Sequence, residues 1–387
     1  MAEFPHLEFE ITDVRRAGDA LRHSIPWDTE QDQADALDIF KVAHSWRASH
    51  LYPMDRIRAQ LTGLVKRDGK SGITVARLKM MSSIRRKLQS SSLKLDKVQD
   101  LGGCRAILPS MADVRELVEK CRKELPHNLR SESPYIERPR ASGYRSHHLM
   151  YDFKPGFDDE RSYADRRIEV QVRSRLQHSW ATAVEAVGTL RHEDLKGVKG
   201  DKQWLRLFEL MASELALAEQ CNEVPGAPPR KERIKEIKML DAALKAANTL
   251  ENLSQAFKYL DTYYTEGKPQ FFVIKYNNLN CTVEVESFQK AIASTKSFDR
   301  AEILAETHSH HIKSVLVEAE SIRTLKDAYQ NYFGDVQIFK QNLADIVLGK
   351  DAREYTMPPQ QVAPRPPNEP PLGAWFRRSP FRRPKGS

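Results

Sequence analysis

Apolar residues recur at helical spacing through the first sixty-odd positions. Leu37, Phe40, Val42 and Trp46 form one stripe, and Ile57, Leu61, Leu64 and Val65 another. This periodicity predicts a helical region over 1–66. Asp68-Gly-Lys-Ser-Gly72 breaks it. A helix carrying Arg77 and Lys79 is expected next, then a strand over Val98–Leu108. An amphipathic helix should follow over Met111–Leu125, with Ser110 as its N-cap. The stretch from 135 to 173 reads as strand, loop, strand. In its second strand Ile168, Val170 and Val172 alternate with Glu169, Gln171 and Arg173, so three polar side chains share one face. Residues 176–222 read as helical, interrupted at Lys196-Gly-Val-Lys-Gly200.

Val224-Pro-Gly-Ala-Pro-Pro229 marks the expected domain boundary, within a linker over 223–232. Beyond it, Ile234, Ile237, Leu240, Leu244, Ala247, Leu250 and Leu253 keep helical spacing. Phe271–Tyr276 and Thr282–Val285 flank Asn277-Asn-Leu-Asn280 as a hairpin. A helix over 288–307, a strand over Ser314–Glu318 and helices over 321–333 and 335–347 complete a smaller unit over 233–350. The predicted class is α+β: one sheet-containing domain over 67–222 and a smaller C-terminal α+β domain.

Length and composition are those of a globular protein of two domains: 387 residues, 40% hydrophobic and 29% charged. No apolar run approaches the ~20 residues of a membrane span. The N-terminus lacks a basic segment followed by an apolar one, so no secretory signal is expected. Four scattered cysteines, Cys104, Cys121, Cys221 and Cys281, show no metal spacing. Free thiols in a reducing cytoplasm are the simplest reading. The formal charge is +8, and half of it comes from residues 351–387, with seven Lys/Arg against three acids. The same tail holds nine prolines, and its composition predicts disorder. The remaining body is only mildly basic, which permits a nucleic-acid partner without requiring one.

The chemistry concentrates in two places. Tyr135-Ile-Glu-Arg-Pro-Arg-Ala-Ser-Gly-Tyr-Arg-Ser-His-His148 is a basic loop with a Gly-Tyr pair at its turn. It precedes the strand with the polar face. Asp100 and Glu169 fall on separate expected strands. If those strands are neighbours, two hard carboxylates converge in the manner Mg2+ accepts; otherwise each is a solvated strand end. Arg77, Lys79 and Lys87 read equally as a phosphate clamp or as a solvated helix face, since positions two apart do not share one helical face. Arg105 precedes Ala-Ile-Leu on an apolar strand, where an arginine normally has a partner. Tyr144 can stack on a base or serve as a core ring.

These segments resemble the synthetase domain of the RelA/SpoT alarmone family. Arg77-Leu-Lys79 with Ser83-Ile84 and Lys87 looks like its basic Arg-x-Lys helix. Asp100-Leu-Gly-Gly-Cys-Arg105 looks like its Asp-x-x-Gly-x-Arg strand. The Glu169-Val-Gln171 strand is followed by His178-Ser-Trp180-Ala181 and Glu185, as in the family's next helix. The match spans roughly residues 70–190. It implies a mixed-sheet, nucleotidyltransferase-like fold flanked by helices. It also implies transfer of the β,γ-pyrophosphate of ATP to a ribose 3′-hydroxyl. On this resemblance Asp100 binds Mg2+, Glu169 shares the metal or takes the proton from the attacking 3′-hydroxyl, and Gln171 completes the catalytic set. Arg77 and Arg105 stack on adenine, while Lys79 and Lys87 touch phosphates. Arg140, Tyr144, His148 and His178 form the acceptor pocket. No His-Asp pair of the family's hydrolase kind is present, so no hydrolase activity is expected.

The chain departs from the family pattern at Ser133-Pro134, where many members carry a cation and then Asp. The implied acceptor is GDP or GTP, yielding ppGpp or pppGpp as in the stringent response. The departure opens an alternative, the 3′-terminal adenosine of tRNA. A third reading is a catalytically dead nucleotide-binding regulator, against which Asp100, Glu169 and Gln171 argue. Tyr329-Gln-Asn-Tyr332 places two rings on one helical face. Core packing is one reading. A resemblance to the CapRel-like fused toxin–antitoxin branch implies another: an autoinhibitory plug from the C-terminal domain, released by a protein trigger. His308-Ser-His-His311 lacks accompanying ligands and reads as a solvated helix end.

Overall fold

A computed structural model describes residues 4–26, 28–67, 71–79, 81–191, 193–252, 271–277, 282–288, 312–318 and 332–353. Five strands make the central sheet: β1 (Ile73–Leu78), β2 (Gly102–Leu108), β3 (Asn128–Pro134), β4 (His147–Asp152) and β5 (Arg167–Ser174). Their order is β1-β2-β5-β4-β3. Only the central pair, β2 with β5, is parallel; the other three pairings are antiparallel. This is a mixed sheet in an α+β fold, as expected.

Alternation along the central strands gives the sheet two unlike faces. Cys104, Ala106 and Leu108 of β2 and Ile168, Val170 and Val172 of β5 point to one side and are buried. Helices α3 (Leu51–Lys66) and α5 (Met111–Glu124) cover that side with Ile57, Leu61, Leu64, Val114, Leu117 and Cys121. Ser110 caps α5 by accepting from the Asp113 amide at 3.2 Å. The opposite side carries the polar residues and faces helix α6 (Arg175–Arg191). At the N-terminal end, α1 (Ile11–Ala20), α2 (Glu30–Ala48) and α4 (Met81–Gln89) form a satellite core around Val14, Trp46, Ile84 and Leu101.

Helices α6, α7 (Lys202–Ala218), α8 (Arg230–Leu244) and α9 (Tyr332–Val347) share one further core. Trp180, Val187, Phe208, Leu215, Ile237, Leu250, Phe339 and Leu343 are all buried in it. Three more strands, β6 (Phe271–Asn277), β7 (Thr282–Phe288) and β8 (Ile312–Glu318), form an antiparallel sheet in the order β7-β6-β8. The expected hairpin is its β6–β7 pair. Among the described residues no helix is long and apolar enough to cross a membrane.

The structure corrects several local expectations. Arg77 lies on strand β1 and not on a helix; Lys79 follows directly, its amide donating to the Leu101 carbonyl at 2.8 Å. The second strand starts at Gly102, because Val98 and Leu101 turn inward to the satellite core. Strand β3 has no apolar alternation: it is a mostly exposed edge strand ending in Pro134, a common way to protect an edge. The expected helix over 234–253 breaks at Lys245, which adopts φ 48°. Val224 is buried in the core shared by α6 to α9, so packing runs straight across the expected linker. Of the expected helix over 288–307 only Phe288 is described, as the end of β7; the rest of it, His308–His311, Tyr329 and the tail from 354 lie outside the described residues. Tyr332 opens α9.

Candidate functional site

The strand pairings stack the polar face into rows. Arg77, Gly103 and Glu169 sit side by side on β1, β2 and β5. One step along, Val75, Arg105, Gln171, His148 and Ser133 form the next row across all five strands. Because Arg77 is on a strand, Lys79 continues on its side of the chain, and the helical-face objection to their cooperation disappears. Gly103 leaves the floor between Arg77 and Glu169 open. A Cβ there would meet nothing closer than backbone oxygens at 3.9 and 4.0 Å, so packing does not demand glycine.

Above this floor lies a cavity of about 610 Å³. Its walls come from α4 (Ser83, Arg86), from α6 (Val184, Glu185, Gly188) and from the loop Glu193–Lys196. Arg77, Lys79, Asp100, Arg105, Glu169 and Gln171 all open on it. Lys79 and Asp100 mark a charged end, and Val75, Val184 and Leu195 are among the apolar residues of the lining.

Asp100 is gripped by two cations. Lys79 Nζ donates to Oδ2 at 2.7 Å and Lys87 Nζ to Oδ1 at 2.9 Å. Burial alone would raise this carboxyl, but the two lysines outweigh it and hold it down to about 2. Arg47 of α2 fixes the local backbone by donating to the Lys79 carbonyl at 2.6 Å.

Glu169 is half-buried, like Asp100, and also held anionic, here by hydrogen bonds. His148 Nδ1 lies 2.8 Å from Oε1, and Gln171 Nε2 donates to Oε2 at 2.7 Å. Burial opposes its charge; the bonds from His148 and Gln171 lower its pKa, and the Asp100 charge works against them. Gln171 Oε1 in turn accepts from Arg105 at 3.4 Å and from Arg173. Burial also disfavours a charged His148, yet Tyr144 and Glu169 raise its pKa overall. Its two ring nitrogens bridge the site, Nδ1 to Glu169 and Nε2 to the Tyr144 oxygen at 2.7 Å. Arg105 is pulled down to about 9 by burial and by neighbouring Arg173 and Arg77, which leaves it cationic at neutral pH.

The acceptor set divides. Tyr144 and His148 join the Glu169 network beside the cavity. Gly143 places Tyr144 there: its φ is +90°, and a Cβ would come within 2.7 Å of Ala212. The Tyr144 ring packs partly against the α6–α7 core. Arg140 folds instead over Tyr135, its guanidinium 4.3 Å from the ring centroid and donating to the phenol oxygen at 2.6 Å. Tyr135 contacts the His148 ring edge-on at 5.2 Å, which makes it a site-side aromatic that sequence reasoning left without a role. His178 is not in the pocket. It is buried against Asp335 of α9, with Nε2 3.1 Å from the carboxylate. Arg173, Arg86 and Lys196 were also missed. Only Arg173 carried a signal, through its place in the β5 alternation.

Two carboxylates opening on one cavity, both ionised and near enough to feel each other, suit Mg2+. That ion takes one or two carboxylates and fills its shell with phosphate oxygens and water. Among the described residues no group of three or more His, Cys, Asp or Glu side chains could hold a metal without a ligand's help.

Residues 76–191 match the family model described as the region found in RelA / SpoT proteins. The chain is 23% identical over 318 residues to GTP diphosphokinase CRSH1, chloroplastic, of Oryza sativa subsp. japonica, covering 76% of this chain and 50% of that protein. It is 24% identical over 115 residues to GTP pyrophosphokinase YwaC of Bacillus subtilis, covering 28% of this chain and 54% of that protein. The chain thus spans about half the length of the curated relatives it matches. Among solved structures, small alarmone synthetase 1 from Bacillus subtilis bound to its product pppGpp is 16% identical, with a TM-score of 0.40 over 46% of this chain and 94% of that one. The chain carries a RelA/SpoT-type synthetase domain.

Proposed function

We propose that the chain is a pyrophosphokinase that moves the β,γ-pyrophosphate of ATP to the ribose 3′-hydroxyl of GDP or GTP. The observation that carries this is the Arg77–Gly103–Glu169 row, with Asp100 between two lysines at its charged end. The adenine lies against the Arg77 and Arg105 guanidiniums, and the phosphates extend toward Lys79 and Lys87. These lysines are already gathered by Asp100, so an arriving phosphate chain meets a preformed cation pair. When bound on Asp100 and Glu169, Mg2+ supplies further neutralisation of phosphate charge.

The acceptor enters from the Tyr135, Tyr144 and His148 side. Its 3′-oxygen attacks the β-phosphorus, forming one P–O bond. The bond from that phosphorus to the α,β-bridging oxygen breaks, and AMP leaves with the electron pair. Glu169 accepts the proton as attack acidifies the hydroxyl, while His148 and Gln171 hold its carboxylate in place. Such transfer rests on positioning and charge neutralisation more than on covalent catalysis.

The second reading makes the 3′-terminal adenosine of tRNA the acceptor. Ser133 favours it. This residue stands where many family members carry a cation, and its register puts it beside His148 in the site row. A purified sample given [γ-32P]ATP with GDP, GTP and bulk tRNA in parallel tests both readings. Label on a guanine nucleotide supports the first, and label on tRNA the second. ATP binding with label on none removes the transferase reading.

A further inference from the structure

Glu185 is out of place in a cavity that receives a polyanion. It sits on α6 in the lining that also includes Arg77 and Arg105, near enough to feel both charges. Its side chain is 24% exposed, and Lys196 Nζ lies 3.9 Å away. Burial opposes its charge, but Lys196, Arg77, Arg105 and Arg173 together keep it anionic. One carboxylate among four cations does more than neutralise them, because it also presents acceptor oxygens to the cavity. An ionised carboxylate can only accept hydrogen bonds.

The geometry points to Glu185 as the residue that selects the donor's base, by accepting a hydrogen bond from the exocyclic amino group of a 6-aminopurine. A flat base lying on the arginines, in a lining that includes Val184 and Leu195, turns its edge toward α6. Adenine offers an N–H there. A 6-oxopurine offers a lone pair, which a carboxylate repels. Lys196 steadies the carboxylate from the loop side and supplies a donor for a neighbouring ring nitrogen. This inference rests on the proposed donor site and adds the source of its base preference.

The test is calorimetric binding of three triphosphates: ATP, inosine triphosphate (6-oxo) and purine riboside triphosphate (6-H). Each is titrated into the full chain and into Glu185→Ala and Glu185→Gln, with melting curves showing that each variant is folded. The wild type should bind ATP about tenfold or more tighter than the 6-H analogue, as a charge-assisted hydrogen bond implies, and inosine triphosphate weakest. In Glu185→Ala, ATP and the 6-H analogue should become equal. In Glu185→Gln, inosine triphosphate should gain on ATP, because the carboxamide can donate to the 6-oxygen. A uniform shift of all three nucleotides, with their ratios kept, would show that Glu185 only balances the arginines and would overturn the inference. Failure of the wild type to bind any of the three removes the donor site itself, and this selection with it.

Discussion

Helix α6 carries two acid–base contacts of opposite character. His178 meets Asp335 with both side chains sealed, at 2% and 4% exposure. Two turns on, Glu185 faces Lys196 across 3.9 Å, with 24% and 61% exposed. Both belong to the helix that follows β5, and both residues stand in the stretch that resembles the family. The first ties α6 to the C-terminal helix α9; the second is open to the cavity. Burial, not residue type or proximity to the motif, separates a packing contact from a charge available to a ligand. The same helix is therefore both wall of the site and core of the molecule, so the C-terminal segment and the site are mechanically joined.

The largest expected effect comes from severing that joint. A domain boundary near residue 230 would leave a free synthetase, more active if the C-terminal part were a plug. The core says otherwise. Truncation there strips Ile237, Leu250, Val336, Phe339, Leu343 and Ile346 from a cluster that holds Trp180 and Phe208. At about 1.5–3 kcal/mol per buried side chain, the loss is comparable with the whole stability of a typical domain, about 5–15 kcal/mol. The truncated chain should be insoluble or molten. Phe339→Ala in the full chain should cost about 3–5 kcal/mol, read by denaturant unfolding. A soluble, cooperatively melting and more active truncation would restore the separable plug.

Next in size is the charged end of the cavity. Asp100→Asn should lower transfer by on the order of 10²-fold or more, since neutralisation of phosphate charge is worth several kcal/mol. The fold should persist, because Asp100 is 22% exposed and supports no core. With its carboxyl held near 2, Asp100 stays ionised throughout the working range, so its titration cannot shape the pH profile of the wild type above about pH 4. Near-normal turnover of Asp100→Asn in saturating Mg2+ would dissociate this end from the chemistry.

Tyr144 comes third and has a split role. Its ring packs partly in the α6–α7 core while its hydroxyl joins His148 and Arg173. Tyr144→Ala should weaken acceptor binding by ~1–3 kcal/mol if the ring stacks on a base, with ATP affinity much less changed. Tyr144→Phe keeps the ring and should retain most acceptor affinity. Equal loss for donor and acceptor in Tyr144→Ala would reduce the residue to packing.

How much of this was legible follows the same division. The β5 alternation fixed which side of the sheet would be polar, because a strand buried on one side must alternate. Arg77 was misassigned to a helix because short segments near Gly and Lys carry little periodicity, and only pairing with β2 makes it a strand. Strand β3 escaped notice because an exposed edge needs no apolar residues. His178 was read as a pocket residue from its motif. Its partner, Asp335, is 157 positions away in the sequence, and nothing local announces it. Glu185 was visible as a motif residue, but its cavity-facing position emerges only once α6 is laid over the sheet. Lys196 sits in a loop that reads only as a helix break.

The smallest predicted effect isolates the sealed pair. Burial pulls the His178 ring below its ordinary 6.5, and Asp335 only partly restores it against Arg105 and Arg173. Arg175, also buried, faces the same Asp335. A base held neutral in the folded chain takes up more protons when unfolded. Its contribution is therefore fully present above about pH 6.5 and is lost as the pH falls below that value. His50, held to about 3, and His127, held to about 4, act in the same direction, so the wild type alone cannot assign the effect. His178→Gln removes one titrating ring and keeps a polar group near Asp335. Melting temperatures at about pH 7.5 and about pH 5.5, on either side of the free histidine value, should differ less for His178→Gln than for the wild type. The difference between the two slopes belongs to the α6–α9 seam. Identical slopes would mean that His178 does not hold α9 through a neutral ring, and the coupling of the C-terminal helix to the site would then rest on the apolar contacts alone.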